Sequence, residues 1–191
     1  MNLLVLGPQG AGKGTQAKRI AAEYEIPHVA TGDMFRAEQA AGTDFGRQVG
    51  EIMQRGDLVP DELTVAMIEN RLAQPDAADG FVLDGFPRNL AQAAALDVML
   101  GSIGRGLDAI LFFDISDAAG MERALSRAAL EGRADDTREV IARRLEIYHR
   151  ETEPIIEHYR ATGKLVPLHA GRSIEQVWSQ ISDALQQVVA A

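Results

Sequence analysis

An α/β fold, with five short parallel strands covered by helices on both faces, is what this sequence predicts, and three observations predict it. Short apolar runs recur at Leu3-Leu4-Val5-Leu6, Pro27-His28-Val29-Ala30, Phe81-Val82-Leu83-Asp84, Ala109-Ile110-Leu111-Phe112-Phe113 and Leu165-Val166-Pro167-Leu168, each separated from the next by helical patterns. The strongest of them, at 109–113, is apolar at every position, as in a strand buried on both sides. The first leads into Gly7-Pro8-Gln9-Gly10-Ala11-Gly12-Lys13-Gly14-Thr15, a glycine-rich turn with a lysine where a helix begins. Strand, loop and helix in that order let backbone N–H groups surround a phosphate while Lys13 neutralises its terminal oxygens. The general pattern asks for Ser or Thr directly after the lysine; here Gly14 intervenes and Thr15 carries the hydroxyl.

The 191 residues suffice for one domain with a small inserted lobe, and 46% apolar with 25% charged residues is ordinary for a soluble globular protein. No apolar run approaches the length that spans a bilayer, and the N-terminus lacks the charge pattern of a signal peptide, so a cytoplasmic protein beginning at Met1 is expected. The absence of cysteine excludes disulfides, thiolate zinc sites and a cysteine nucleophile. A net charge of −9 argues against a nucleic-acid coat. The basic residues are nevertheless sixteen arginines against three lysines, a choice that suits bidentate phosphate contacts if the positions agree.

Taken in order, a helix is expected from Lys13 to about Tyr24, with Ala17, Ile20, Ala21 and Tyr24 on its apolar stripe. Asp33 is expected to cap a second helix. A third follows Thr43, presents Phe45, Val49, Ile52 and Met53, and ends at Gly56. Asp61 opens a fourth, striped by Leu63, Ile68 and Leu72. After the strand at 81–84, Pro87 fixes the chain so that Arg88 is aimed, and a helix runs from about Leu90 to Leu100. Ser116 caps the helix carrying Arg123 and Arg127, and 128–134 reads as an irregular bridge. Asp136 with Glu139 resembles a capping box opening a long helix that Pro154 interrupts. Ser173 and Gln176 start the last helix, striped by Ile174, Val177, Trp178, Ile181, Leu185 and Val188.

In a doubly wound sheet, ligands sit at the carboxyl ends of the strands, and three such ends carry polar residues: Gly7 onward, Thr31–Asp33 and Asp84–Arg88. Phosphoryl transfer asks for donors around phosphates, a metal anchor and a hold on the acceptor. Asp84 is the candidate to hold Mg²⁺ through water, with Asp33 second, since a helix cap would account for Asp33 equally well. Arg123 and Arg127 lie four apart on one helix face, and Arg133 and Arg144 flank the start of the next helix. Arginines gathered on one face repel unless an anion sits among them; spacing alone leaves open that each instead pairs with Glu122, Glu131, Asp135 or Glu146. Arg138, Arg143 and Arg150 are read as solvent-side ion pairs, and the four histidines, lacking ligand spacing, receive no role.

The segments Gly7–Gln16, Thr31-Gly32-Asp33-Met34, Leu83-Asp84-Gly85-Phe86-Pro87-Arg88, Gly132-Arg133-Ala134-Asp135-Asp136 and Arg143-Arg144-Leu145-Glu146 resemble the adenylate kinase family of nucleoside monophosphate kinases, in the expected order and over almost the whole chain. Within that resemblance Gly14-Thr15 after the lysine is regular. It implies a P-loop fold with a small helical monophosphate-binding lobe at about 30–59 and a short lid loop at about 127–134. The implied reaction is reversible transfer of a phosphoryl group from MgATP to AMP, giving two ADP. Gly10, Ala11, Gly12, Lys13, Gly14 and Thr15 would hold the ATP phosphates, with Arg123, Arg127 and Arg172. Lys13, Arg88, Arg123, Arg133 and Arg144 would be catalytic. AMP would meet Thr31, Arg36, Asp57, Leu58, Val59, Gly85, Arg88, Gln92, Arg133 and Arg144, with Arg36 and Arg88 on its phosphate.

Thr31 and Gln92 match the adenine-specific pattern, the carboxamide pairing with adenine by donating and accepting at once. Asn89, by contrast, resembles the UMP/CMP kinases. Longer family members carry a lid insert, often with a four-cysteine zinc site; only 128–132 stand between Arg127 and Arg133 here, so a reduced lid without structural zinc is implied. Gln9 stands where many relatives have proline, which leaves the loop freer and removes no phosphate donor. A monomer acting on ATP, AMP and ADP, with no nucleic-acid or membrane partner, is the expectation. The alternatives are a UMP/CMP kinase and a P-loop ATPase or switch, the latter leaving Arg88, Thr31 and Gln92 without a task.

Overall fold

The apolar runs form five parallel strands, β1 (Asn2–Leu6), β2 (His28–Ala30), β3 (Phe81–Asp84), β4 (Ala109–Asp114) and β5 (Leu165–His169), in the order β2-β3-β1-β4-β5. The computed structural model describes residues 1–132 and 136–189. Because side chains alternate along a strand, the runs feed two cores. Leu4, Leu6, Phe81, Leu83 and Ile110 face helices α4 (Asp61–Leu72), α5 (Leu90–Ser102) and α8 (Glu153–Arg160). Leu3, Val5, Val82, Leu111 and Phe113 face α1 (Lys13–Tyr24) and α9 (Ile174–Val189). Twelve side chains of the largest buried set, from Tyr159 to Ile110, lie at under 2% exposure, each such burial contributing about 1.5–3 kcal/mol.

The chain order reverses beside β1, which has β3 on one side and β4 on the other. That switch point opens a crevice at the carboxyl ends of β1 and β3, where the loop after Leu6 and the turn after Asp84 meet. Two smaller cores flank it. α2 (Thr31–Ala40) and α3 (Asp44–Arg55) pack Phe35 and Val49 with Val59, while α6 (Asp117–Glu131) and α7 (Arg138–Ile147) pack Ala124, Ile141 and Leu145. As expected, α3 follows Thr43 and stops at Gly56: Thr43 Oγ1 accepts from Gly46 N at 2.9 Å, and Gly56 makes a left-handed turn.

Five local expectations are corrected. Asp33 is not a cap: α2 begins at Thr31, and Asp33, in its first turn, pairs with Arg36. Helix α6 runs on through Glu131, because Gly132 at φ 64° supplies the left-handed turn that stops it. The cap of α7 is Thr137, which accepts from Val140 N; Asp136 turns inward. Pro154 lies in the first turn of α8, directly after a wide helical turn at Tyr148–Thr152 that continues from α7. On α4 the buried residues are Thr64, Ile68 and Leu72, whereas Leu63 is 42% exposed; Ile174 on α9 is likewise 58% exposed. Of the lid loop expected at about 127–134, Arg133 and Ala134 lie outside the described residues, as does Asp135.

Candidate active site

One cleft of about 750 Å³ occupies the switch point. Its floor is the turn from Gly7 to Thr15, which delivers Gly12 at φ 85° as the N-cap of α1. The turn is held from behind by an unusually close backbone approach. A Cβ on Gly10 would lie 2.0 Å from Gly120 O, and one on Gly120 2.6 Å from Gln9 O, so both positions require glycine. Lys13 curls back, Nζ donating to Gly7 O at 2.7 Å and Pro8 O at 2.8 Å. Burial lowers its pKa to about 8, against the opposing pull of Asp84.

Asp84 ends β3 beside Gly14, where an added Cβ would meet Oδ2 at 3.4 Å. Burial pushes its carboxyl upward, but His28, Lys13 and Arg88 outweigh that and hold it below the usual range, so it is anionic near neutral pH. His28 Nε2 stands 3.5 Å from Asp84 Oδ2, long for a hydrogen bond, and acts by proximity. The sequence offered no signal for that histidine beyond its place at a strand end. One inward carboxylate, with the Thr15 hydroxyl also lining the cleft, suits Mg²⁺, which keeps waters and takes phosphate oxygens as its other ligands. Asp33 lines the cleft too, paired with Arg36.

The far wall is built on Gly85. A Cβ there would lie 2.5 Å from Thr31 Oγ1, and the Gly85 carbonyl accepts from both Thr31 Oγ1 at 2.9 Å and Arg88 Nε at 2.8 Å. Thr31 is 1% exposed and is absent from the cleft lining; it reaches the cleft through the carbonyl it holds. Arg88 is half-buried, and desolvation together with the charges of Arg144 and Arg36 lowers its pKa to about 10, with Asp84 pulling the other way. Arg36, Arg88 and Arg144 thus converge, the first paired with Asp33 and the third with Asp136, while Arg88 has Asp84 nearby. An anion entering there would meet three guanidinium groups already held in place.

The remaining arginines divide. Arg123 donates to Ala170 O at 2.7 Å and to the carbonyls of Gly171 and Arg172, fixing the turn before α9. Arg127 and Arg144 both pair with Asp136, at 2.7 and 2.6 Å, and Gln9 Nε2 donates to the same carboxylate at 2.8 Å. The Asp136 side chain is fully buried. Pairing with Glu122, Glu131 or Glu146 is therefore not what organises Arg127 and Arg144. Asp136 is the organising carboxylate that the sequence reading missed, taken for a cap because it precedes a helix. Gln9, expected to leave its loop free, instead ties it to this cluster.

Arg36, Asp57, Leu58, Val59, Gly85, Gln92 and Arg172 all line the cleft, as do Gly10, Ala11, Gly12, Gly14 and Thr15. Arg143, placed on the solvent side, reaches Asp57 at 3.4 Å. Of the expected site residues, Thr31 alone is described and stands behind the wall; Arg133 lies outside the described residues.

Known proteins resemble this chain over nearly its whole length. The family model for adenylate kinase matches residues 5–164. The chain is 48% identical over 185 residues to an adenylate kinase of Xanthomonas euvesicatoria pv. vesicatoria, covering 97% of this chain and 99% of that protein. It is 45% identical over 186 residues to one from Stenotrophomonas maltophilia, covering 97% and 100%.

Proposed function

From the premise that the chain belongs to the adenylate kinase family and transfers a phosphoryl group reversibly between ATP and AMP, we propose how its residues divide that work. The observation that carries the proposal is the convergence of Arg36, Arg88 and Arg144 opposite the Lys13 loop across one cleft. A donor phosphate chain lies in the N–H groups from Gly10 to Thr15, with Lys13 leaving its two carbonyl partners for phosphate oxygens. Arg36 and Arg88 hold the acceptor phosphate in line with it. Arg123, Arg127, Arg144 and Arg133 surround the transferring group, whose negative charge spreads over equatorial oxygens in the transition state. Asp84, through water, would hold Mg²⁺, which when bound would supply charge neutralisation for the donor phosphates. Arg172 lies toward the donor base, and the backbone of Asp57, Leu58 and Val59 toward the acceptor base, which Gln92 reads. Thr31 acts through Gly85. Segment 30–59 forms the acceptor lobe and about 127–134 the reduced lid that excludes water.

The protein works as a monomer in the cytoplasm on this reading, with ATP, AMP and ADP as its partners. Among the described residues no helix is long and apolar enough to cross a membrane. A dinucleotide joining two adenosines through a polyphosphate chain should occupy both halves and raise Tm more than ATP and AMP added separately at equal concentration. A shift no larger than that of ATP alone would refute the two-sided site.

A further inference from the structure

We propose that Asp61, which lies outside the cleft, sets which bases this enzyme accepts by locking the Gln92 carboxamide in one orientation. The inference rests on the reading of Gln92 as the group that meets the acceptor base. Gln92 sits in the first turn of α5, is 2% exposed and lines the cleft. Its Oε1 accepts the Arg88 backbone N–H at 2.8 Å, and its Nε2 donates to Asp61 Oδ1 at 2.7 Å. A backbone N–H can only donate and an ionised carboxylate can only accept, so the two partners dictate the same orientation. Turning the amide over would set N–H against N–H and oxygen against carboxylate. Asp61 is itself held: Asn89 Nδ2 spans its two oxygens at 2.9 and 3.1 Å, while Asn89 Oδ1 accepts from Gln92 N at 2.8 Å. Asp61 and Asn89 line a smaller cavity that shares Asp57, Leu58 and Val59 with the cleft, and Asp61 does not line the cleft itself, so Asp61 is a positioning residue.

After these bonds Oε1 keeps one lone pair and Nε2 one N–H, an acceptor and a donor in fixed order. Adenine offers the complement, an amino donor at N6 and an acceptor at N1. Hypoxanthine and guanine offer the reverse, an acceptor at O6 and a donor at N1. A freely turning amide would serve either; a locked one rejects the second because its buried polar atoms would be left facing their own kind. Cytosine shares adenine's order and uracil shares that of guanine. The lock thus separates amino bases from oxo bases, and the purine–pyrimidine choice falls to the shape of the cleft. Asn89, the residue that resembles the pyrimidine kinases, here serves the adenine order.

The test compares AMP with IMP, which matches AMP in shape and differs only at position 6 and N1–H. With ATP as donor, kcat/KM is measured for both acceptors in the full-length protein, Asp61→Leu and Asp61→Asn. The AMP-to-IMP ratio should fall about tenfold in Asp61→Leu, the effect of losing one charge-assisted hydrogen bond while the Arg88 N–H remains. The change should appear mainly as a higher KM for AMP and a gain with IMP, with kcat for AMP held within about threefold. Asp61→Asn, which keeps one acceptor, should fall between; if the leucine variant does not fold, a lowered ratio in Asp61→Asn supports the lock and an unchanged one overturns it. An unchanged ratio in Asp61→Leu, or parallel losses with both acceptors, would reduce Asp61 to a structural role. Gln92→Leu separates the two readings. If it abolishes the discrimination while Asp61→Leu does not, only the lock falls; if it leaves the ratio intact, Gln92 does not read the base.

Discussion

Removing the charge at Asp136 should injure both stability and catalysis, because one buried carboxylate holds two arginines and the phosphate loop. Asp136→Asn keeps the volume and turns one acceptor oxygen into an amide N–H aimed at a guanidinium or at Gln9. Deleting one partner of a buried pair costs about 3–5 kcal/mol when the other charge stays dry. Here the guanidinium groups are 35% exposed at Arg127 and 19% at Arg144, so both recover part of their hydration from the cleft. A loss of about 2–3 kcal/mol is therefore expected, which for a domain of this size lowers Tm by roughly 5–10 °C. In catalysis, Arg144 and Arg127 would no longer be fixed relative to Gly10 and Lys13, and a shift of this kind costs about 10²-fold in kcat. Thermal melts with and without nucleotide, together with turnover measured well below the lowered Tm, separate the two effects. A Tm within about 1 °C of the parent and kcat within about threefold would show that Asp136 is not what organises these arginines.

Lys13→Ala should lower kcat by two or more orders of magnitude, at roughly the scale of lost transition-state charge stabilisation, while leaving Tm nearly unchanged; near-normal turnover would remove Lys13 from the chemistry. In the free enzyme the Lys13 charge is lost as pH rises through about 8, so kcat/KM for ATP should decline above that pH, and a flat profile to pH 9.5 would contradict the cause assigned to it. Arg88→Ala should reduce kcat/KM by about 10³-fold or more, measured with AMP as acceptor; a few-fold change would make it structural. Hydrogen bonds donated to the Glu153 and Asp117 carboxylates raise the His149 pKa, so its contribution to stability is full below the unfolded value near 6.5 and vanishes as pH rises through the raised one. The Tm difference between the parent and His149→Gln should shrink from pH 6 to pH 9, and a difference that grows would reverse the sign.

What the chain showed in advance depended on how local the physics was. Apolar runs, the Thr43 and Ser116 caps and the Gly56 stop are decided within a few residues, and all were legible. The ligand edge was legible as well, since the parallel order brings the ends of β1 and β3 together whatever the loops do. Asp136 was misread because a carboxylate before a helix has a sufficient local explanation, and only tertiary structure reveals Arg127, Arg144 and Gln9 around it. Gly120 gave no signal at all: a glycine inside a helix has meaning only when the backbone it must admit, here the Gln9 carbonyl, is in view. Asp61 was hidden for the same reason, its partner Gln92 lying 31 residues away, whereas Asn89 caps α5 from three residues away and went unread although its physics is local. Thr31, placed with AMP by the resemblance, stands behind the wall and donates to Gly85 O, a contact no local pattern announces.

The central claim is that a donor phosphate site and a monophosphate site built for AMP face each other across one cleft. The most direct measurement is ADP formation in a coupled assay, first with MgATP alone and then with AMP, CMP or UMP at equal concentration. The structure predicts negligible turnover with ATP alone, strong stimulation by AMP with two ADP formed for each AMP consumed, and far weaker responses to CMP and UMP. ATP hydrolysis at a rate indifferent to AMP, or a preference for CMP or UMP over AMP, would contradict it.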